Sequence, residues 1–120
     1  MELIEVPYSD RLRGERAENI EEMIRCYQAA LEVYTRTAYP ENWALTQMIL
    51  GNAYSDRLRG ERAENIEEAI RYYKAALEVR TCTNFPEDGA IIQAEDWAML
   101  QNELAALYNE RIRGDLLDFD

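Results

Sequence analysis

The chain repeats itself at an interval of forty-six residues. Residues 8–22 recur without a change as residues 54–68. Extended to residues 41 and 87, the two copies match at 27 of 34 aligned positions. A fixed period between about twenty and fifty residues is typical of solenoids, in which each unit buries its apolar face against its neighbours. The repeat therefore predicts a stacked array.

The composition favours one globular domain, residues 1–120, that carries a strong negative charge. Hydrophobic residues make up 48% of the chain, and 24 acidic against 13 basic residues give a net charge of −11. This charge would repel nucleic acid and anionic membranes and attract basic partners, although solubility alone also accounts for it. Neither a signal peptide nor a membrane span is evident. We therefore expect a cytoplasmic protein whose Cys26 and Cys82 are reduced.

Two copies of one amphipathic helix, the B helix, are predicted from helical spacing of apolar residues. Each copy has Asn followed three residues later by Glu, as Asn19 with Glu22 and Asn65 with Glu68. This pattern predicts that each Asn caps the helix as part of a capping box. The apolar face comprises Ile20, Met23, Ile24, Tyr27, Leu31 and Tyr34 in the first copy, and Ile66, Ala69, Ile70, Tyr73 and Leu77 in the second.

A second type of helix, the A helix, precedes each B helix. Its fullest copy runs from near Trp43 to Arg59, and Gly51 at its centre should let another helix approach closely. A third copy aligns at an offset of fifty-four, with Trp97 matching Trp43. We divide the chain into a partial repeat (8–41, with only 8–13 helical before its loop), a full repeat (42–87), a third A helix with an N-terminal extension (88–115) and a tail (116–120).

The charged link between the A and B helices is itself repeated. Its arginines and carboxylates are expected to pair with each other and with helix-end carbonyls, with Gly60 supplying a left-handed cap. Binding of an acidic partner is the alternative.

Three elements of the full repeat resemble the tetratricopeptide pattern: Leu50-Gly51-x-x-Tyr54, Ala69-x-x-x-Tyr73 and Pro86. The regular lengthening to forty-six residues looks like the long-repeat cyanobacterial arrays that are often fused to caspase-like protease domains. Over residues 8–115, the resemblance implies an all-α, right-handed solenoid of antiparallel helical hairpins, here truncated at both ends. Its A helices would line a concave peptide-binding groove, formed by Leu45, Met48, Asn52, Asp56, Met99, Asn102 and Ala106.

The best-known groove chemistry of that family, a clamp for a C-terminal carboxylate, is not expected. Asn52 matches the asparagine of the clamp, but Met48 stands where the clamp has lysine. The chain has no His, and no activated nucleophile or phosphate-binding loop is apparent. We expect no enzyme activity, no cofactor and no metal, but a module or scaffold that binds a basic or neutral protein or peptide.

The alternative function is a self-assembling repeat unit, whether a natural fragment or an engineered sequence. The third A helix has no B helix after it, and Leu100, Leu104 and Leu107 are expected to form an exposed apolar patch for self-association. A dimer is favoured, either closed by two-fold symmetry or joined head to tail. The opposing possibility is that Leu116, Leu117 and Phe119 fold back over the last helix.

Overall fold

A computed structural model describes residues 8–79 and 94–117 of the chain. Within these ranges it contains four α-helices and no strand: α1 (Tyr8–Ala30), α2 (Pro40–Asp56), α3 (Arg62–Val79) and α4 (Ala94–Leu117). Over these residues, the prediction of an all-α fold is confirmed. Helix α1 packs on α2, α2 on α3, and α3 on α4.

Helices α2 and α3 form the A–B pair that the full repeat predicted. Pro40 occupies the first turn of α2, where its missing N–H costs nothing and its fixed φ suits a helix. Residues 57–61 connect the two helices, and Gly60 has a φ of 83°, which a residue with a side chain adopts only at a cost. Such a short connection makes the two helices antiparallel neighbours.

The predicted N-cap at Asn65 is wrong, because α3 begins three residues earlier at Arg62. The side chain of Asn65 instead closes the loop, since its Nδ2 donates to the carbonyl oxygen of Arg59 at 2.8 Å. Its backbone N–H is also used, as a donor to the carbonyl of Glu61 at 3.0 Å.

The first copy of this link does not form a turn at all. Helix α1 runs without a break from Tyr8 to Ala30, so the predicted loop after Arg13 and the predicted cap at Asn19 are both wrong. Residues 8–22 and 54–68 thus have one sequence and two backbone conformations. Gly14 is helical in the first copy, whereas its counterpart Gly60 has a positive φ.

Two apolar clusters hold the helices together, and they are repeat-equivalent. The first cluster joins α1, α2 and α3 through Ile20, Ile24, Leu50, Ala53 and Tyr72. The second cluster joins α3 and α4 through Ile66, Ala69, Ile70, Tyr73, Leu100, Leu104 and Leu107.

The expected exposed patch on the third A helix is therefore absent. Leu100, Leu104 and Leu107 are buried, because they pack on Ile66, Ile70 and Tyr73 of α3 within the same chain. The B helix that precedes α4 covers this face without a second chain. These three leucines thus belong to the core and leave no apolar surface for self-association.

Gly51 confirms the predicted close approach of helices. A Cβ at this position would lie 2.6 Å from two carbon atoms of the Tyr73 ring. Tyr73 is itself fully buried, so its ring has no free space to move into. The contact explains why glycine, a poor helix former, stands in the middle of α2.

The remaining boundaries are described in part. Helix α4 begins three residues before Trp97, as α2 begins three residues before Trp43; the predicted extension over 88–93 lies outside the described residues. The segment expected to be a tail starts helically, since α4 includes Leu116 and Leu117, and residues 118–120 lie outside the described ranges.

We predict that Gly51→Leu destabilises the fold by about 1–3 kcal/mol or more, because overpacking forces α3 away from α2. Ala105→Leu at the equivalent exposed position of α4 should cost much less. Denaturant titration of the two variants measures the difference. Equal losses would mean that Ala105 is packed as tightly as Gly51.

Candidate functional site

The residues expected to line a peptide groove lie on one face of α2 and the equivalent face of α4. Leu45 is 40% exposed and Met99, at the aligned position, is 52% exposed. Met48 is half-buried and packs against the second cluster, to which α4 contributes. Asn52, Asp56, Asn102 and Ala106 are all exposed.

Asn52 is not a free binding group, because its Oδ1 accepts a hydrogen bond from the hydroxyl of Tyr73. The bond ties the groove face of α2 to the buried ring under Gly51. Burial, reinforced by the charge of Glu103, raises the pKa of Tyr73 far above its ordinary value. The hydroxyl therefore stays protonated at neutral pH and acts as a donor.

The turn between α2 and α3 is organised by Arg57. Its Nε and Nη2 donate to the two carboxylate oxygens of Glu21 on α1, at 2.8 and 3.1 Å. Its Nη1 donates to Oδ1 of Asn65 on α3 at 3.1 Å, and its guanidinium lies 5.5 Å from the ring centre of Tyr54. One side chain thus contacts all three helices.

The charges in this contact reinforce each other. The hydrogen bond from Arg57 holds the pKa of the Glu21 carboxyl below its usual value, against the opposing effect of burial. Both side chains are partly buried, so the pair is worth more than a fully exposed surface ion pair. The sequence predicted that the charges of this link pair with each other. Arg57 and Arg59 instead pair with Glu21 and Glu18 of α1, the preceding B helix.

Arg62 makes the corresponding link to α4. Its Nε and Nη2 donate to Glu110 at 2.5 and 2.8 Å, and its Nη1 donates to the carbonyl of Ser55 at 2.6 Å. These bonds lower the pKa of the Glu110 carboxyl. Ser55 lies at the end of α2, so the expected bond between a loop arginine and a helix-end carbonyl is present.

An open cleft of about 500 Å³ lies between α3 and α4. Sequence reasoning did not predict it. It is lined by Glu67, Glu68, Ile70, Arg71, Lys74, Ala75, Glu78, Tyr108 and Arg111. Its repeat-equivalent between α1 and α2 is filled, because the ring of Tyr72 stacks on Tyr54 there with centres 5.5 Å apart. The repeat-equivalent of Tyr54 is Tyr108, which lines the cleft.

The described residues offer no site for a metal ion, since they contain no group of three or more potential His, Cys, Asp or Glu ligands. Within the same ranges, none of the helices has the length and apolar character that a membrane crossing requires. Cys26 is an exposed free thiol.

Comparison with known proteins returned no significant match to a protein-family model, a curated protein or a solved structure.

We predict that Glu21→Gln destabilises the protein by about 1–3 kcal/mol at neutral pH, because Arg57 loses its charged partner. Since the pKa of Glu21 is lowered in the folded state, its contribution is complete above its ordinary pKa of 4.5. It is lost as the pH falls through the lower folded value. Unfolding curves of wild type and variant should therefore converge in acid.

The matched control is Glu67→Gln, which removes the repeat-equivalent carboxylate. Glu67 pairs with Arg111 in a contact whose side chains are about half exposed, so its loss should cost about 0–1 kcal/mol. Equal losses for the two variants at neutral pH would contradict the special role of the Arg57 contact.

Proposed function

We propose that the chain is a tetratricopeptide-like, right-handed solenoid that serves as a protein-interaction module and binds a peptide across the A-helix faces of α2 and α4. The observation that carries the proposal is the exposure of Leu45 and Met99, large apolar side chains at equivalent positions of successive A helices. Repetition at this spacing offers a row of contacts for an extended ligand.

The polar residues around this row suit a peptide backbone. Asn102 supplies an amide that donates and accepts, and Asp56 adds a carboxylate at the end of α2; both are exposed. With a net charge of −11, a basic or neutral peptide is favoured over an acidic one. Nucleic acid and anionic membranes are disfavoured as partners on the same ground.

The proposal includes no catalysis and no cofactor. The ion pair between Arg57 and Glu21 is engaged in hydrogen bonds that link α1, the turn and α3, so we assign it a structural role. A reduced, cytoplasmic setting belongs to the same proposal and accords with the free thiol of Cys26.

The test is selection from a displayed library of random peptides against the chain, followed by affinity measurement on the enriched sequences. Leu45→Lys combined with Met99→Lys should weaken these peptides by about tenfold or more, because buried apolar anchors dominate such interfaces.

The matched control is Leu58→Lys combined with Ile112→Lys. These residues are also exposed, apolar and equivalent to each other by the offset of fifty-four, but they lie outside the proposed groove. The control pair should leave peptide affinity unchanged. Failure to enrich any peptide, or equal loss in both pairs, would count against a groove on this face.

A further inference from the structure

Helices α1 and α4 each have an exposed face whose repeat-equivalent is buried. The equivalent of the α1 face lies on α3, and the equivalent of the α4 face lies on α2. On α1 this face comprises Asn19, Met23 and Cys26, all of which are exposed. On α3 the equivalent residues are Asn65, Ala69 and Tyr72, and all are buried. The difference follows from the unbroken α1 helix, since residues 8–14 extend it instead of turning back to pack beside it as an A helix.

Helix α4 shows the complementary difference. Its residues Ala98, Gln101 and Ala105 are exposed. The equivalent residues of α2 are Ala44, Gln47 and Gly51, and these are buried. Tyr73 of α3 lies directly on Gly51, so on α2 this face receives a B helix. Within the described ranges no B helix follows α4, and the face is open.

The cleft beside this face repeats the polar contacts of the filled inner site. Arg111 donates through Nε and Nη2 to Glu67, at 2.6 and 3.0 Å, as Arg57 does to Glu21. The Arg111 guanidinium lies 5.9 Å from the ring centre of Tyr108, as that of Arg57 lies near Tyr54. The receiving half of an inner interface is therefore already assembled.

From this correspondence we propose that helix α1 of a second copy of this chain docks on α4 and in the α3–α4 cleft, head to tail. The interface reproduces the packing of α3 on α1 and α2 within one chain. It is separate from the proposed peptide groove, because Met99, Asn102 and Ala106 lie on a different face of α4 from Ala98, Gln101 and Ala105.

The docked α1 presents side chains that suit the site. Met23 stands where α3 has Ala69, and Cys26 stands where α3 has Tyr72. The larger side chain of the pair is therefore one helical turn nearer the N-terminus on α1 than on α3. The side chain of Asn19 takes the place of Asn65, whose Oδ1 accepts from Arg57. In the assembly its acceptor therefore faces Arg111 of the neighbouring copy.

One position makes this interface weaker than its inner counterpart. Ala105 stands where α2 has Gly51, and a Cβ on α2 at that point would meet the Tyr73 ring at 2.6 Å. Tyr27, the equivalent of Tyr73, must therefore sit farther from α4 than Tyr73 does from α2. Reversible association follows, and because the interface joins two different surfaces, it continues from copy to copy.

Sedimentation velocity over a range of concentrations tests the proposal with complementary variants. Met23→Lys blocks the docking face of α1, and Ala105→Lys blocks the receiving face of α4. Both sites are exposed and both changes reduce the net negative charge, so general repulsion does not explain a loss of assembly. Wild type should form a concentration-dependent series of oligomers, and each variant alone should be monomeric.

An equimolar mixture of the two variants should form a one-to-one dimer and nothing larger, since each contributes the surface that the other retains. A monomeric wild type, a variant that assembles like wild type, or a monomeric mixture would each overturn the proposal. Loss of peptide binding in the groove variants would leave these results unchanged, so the two proposals fail independently.

Ala105→Gly provides a second readout in the opposite direction. It removes the obstructing Cβ and should tighten association by about tenfold, even though glycine lowers helix stability by about 1 kcal/mol. Ala106→Gly is the matched control, with the same helix penalty on another face and no expected change in association. Equal association constants for the two glycine variants would contradict the assigned face.

Discussion

The structure depends on the contacts of one guanidinium group. Arg57 binds Glu21 of α1 and Asn65 of α3, and its guanidinium lies near the ring of Tyr54 on α2, the helix that it caps. A helix-ending turn with glycine at its centre has little local stability of its own. Charge-assisted hydrogen bonds between Arg57 and Glu21 of α1 add the stability that the local sequence lacks. The turn is therefore stabilised by tertiary contacts as well as by the positive φ of Gly60.

One sequence has two conformations in this chain. Residues 8–22 and 54–68 are identical, and the glycine in each costs a continuous helix only about 1 kcal/mol relative to alanine. The first copy remains helical through Gly14. Helix α4 likewise continues through Gly114, although Arg111 pairs with Glu67 of the preceding helix α3, so a carboxylate on the neighbouring helix does not by itself produce the turn. The exposed face of α1 follows from its unbroken helix.

The sequence predicted what depends on local pattern and failed where neighbours decide. Periodicity and backbone chemistry account for the helical class, the extents of α2 and α3 to within a few residues, the close approach at Gly51 and the positive φ of Gly60. Helix α2 is nevertheless capped at Arg57 and not at Gly60. The continuity of α1 did not, because an identical segment gives an identical prediction.

The residues predicted to line a groove are exposed on α2 and α4, apart from half-buried Met48, whereas the leucines of α4 that were expected to be exposed are buried. Helical periodicity predicts that Leu100 lies on an apolar face, but it does not predict which helix packs on that face. In the structure, α3 of the same chain packs on Leu100. The sequence did not predict the α3–α4 cleft, because a cavity depends on how helices pack and not on a local pattern of residues. Comparison with the equivalent site between α1 and α2, which Tyr72 fills, identifies the cleft.

The distance between residues 8 and 26 tests the central claim most directly, since it separates a continuous helix from a hairpin. Spin labels at Tyr8→Cys and native Cys26, with Cys82→Ser, report it by pulsed electron resonance in dilute solution. A continuous helix places the two backbones about 27 Å apart, at 1.5 Å per residue. In the second copy the equivalent residues, Tyr54 and Tyr72, stack with ring centres 5.5 Å apart. A label separation near 27 Å supports the account, whereas labels in close contact would show that the first copy folds into the same hairpin as the second.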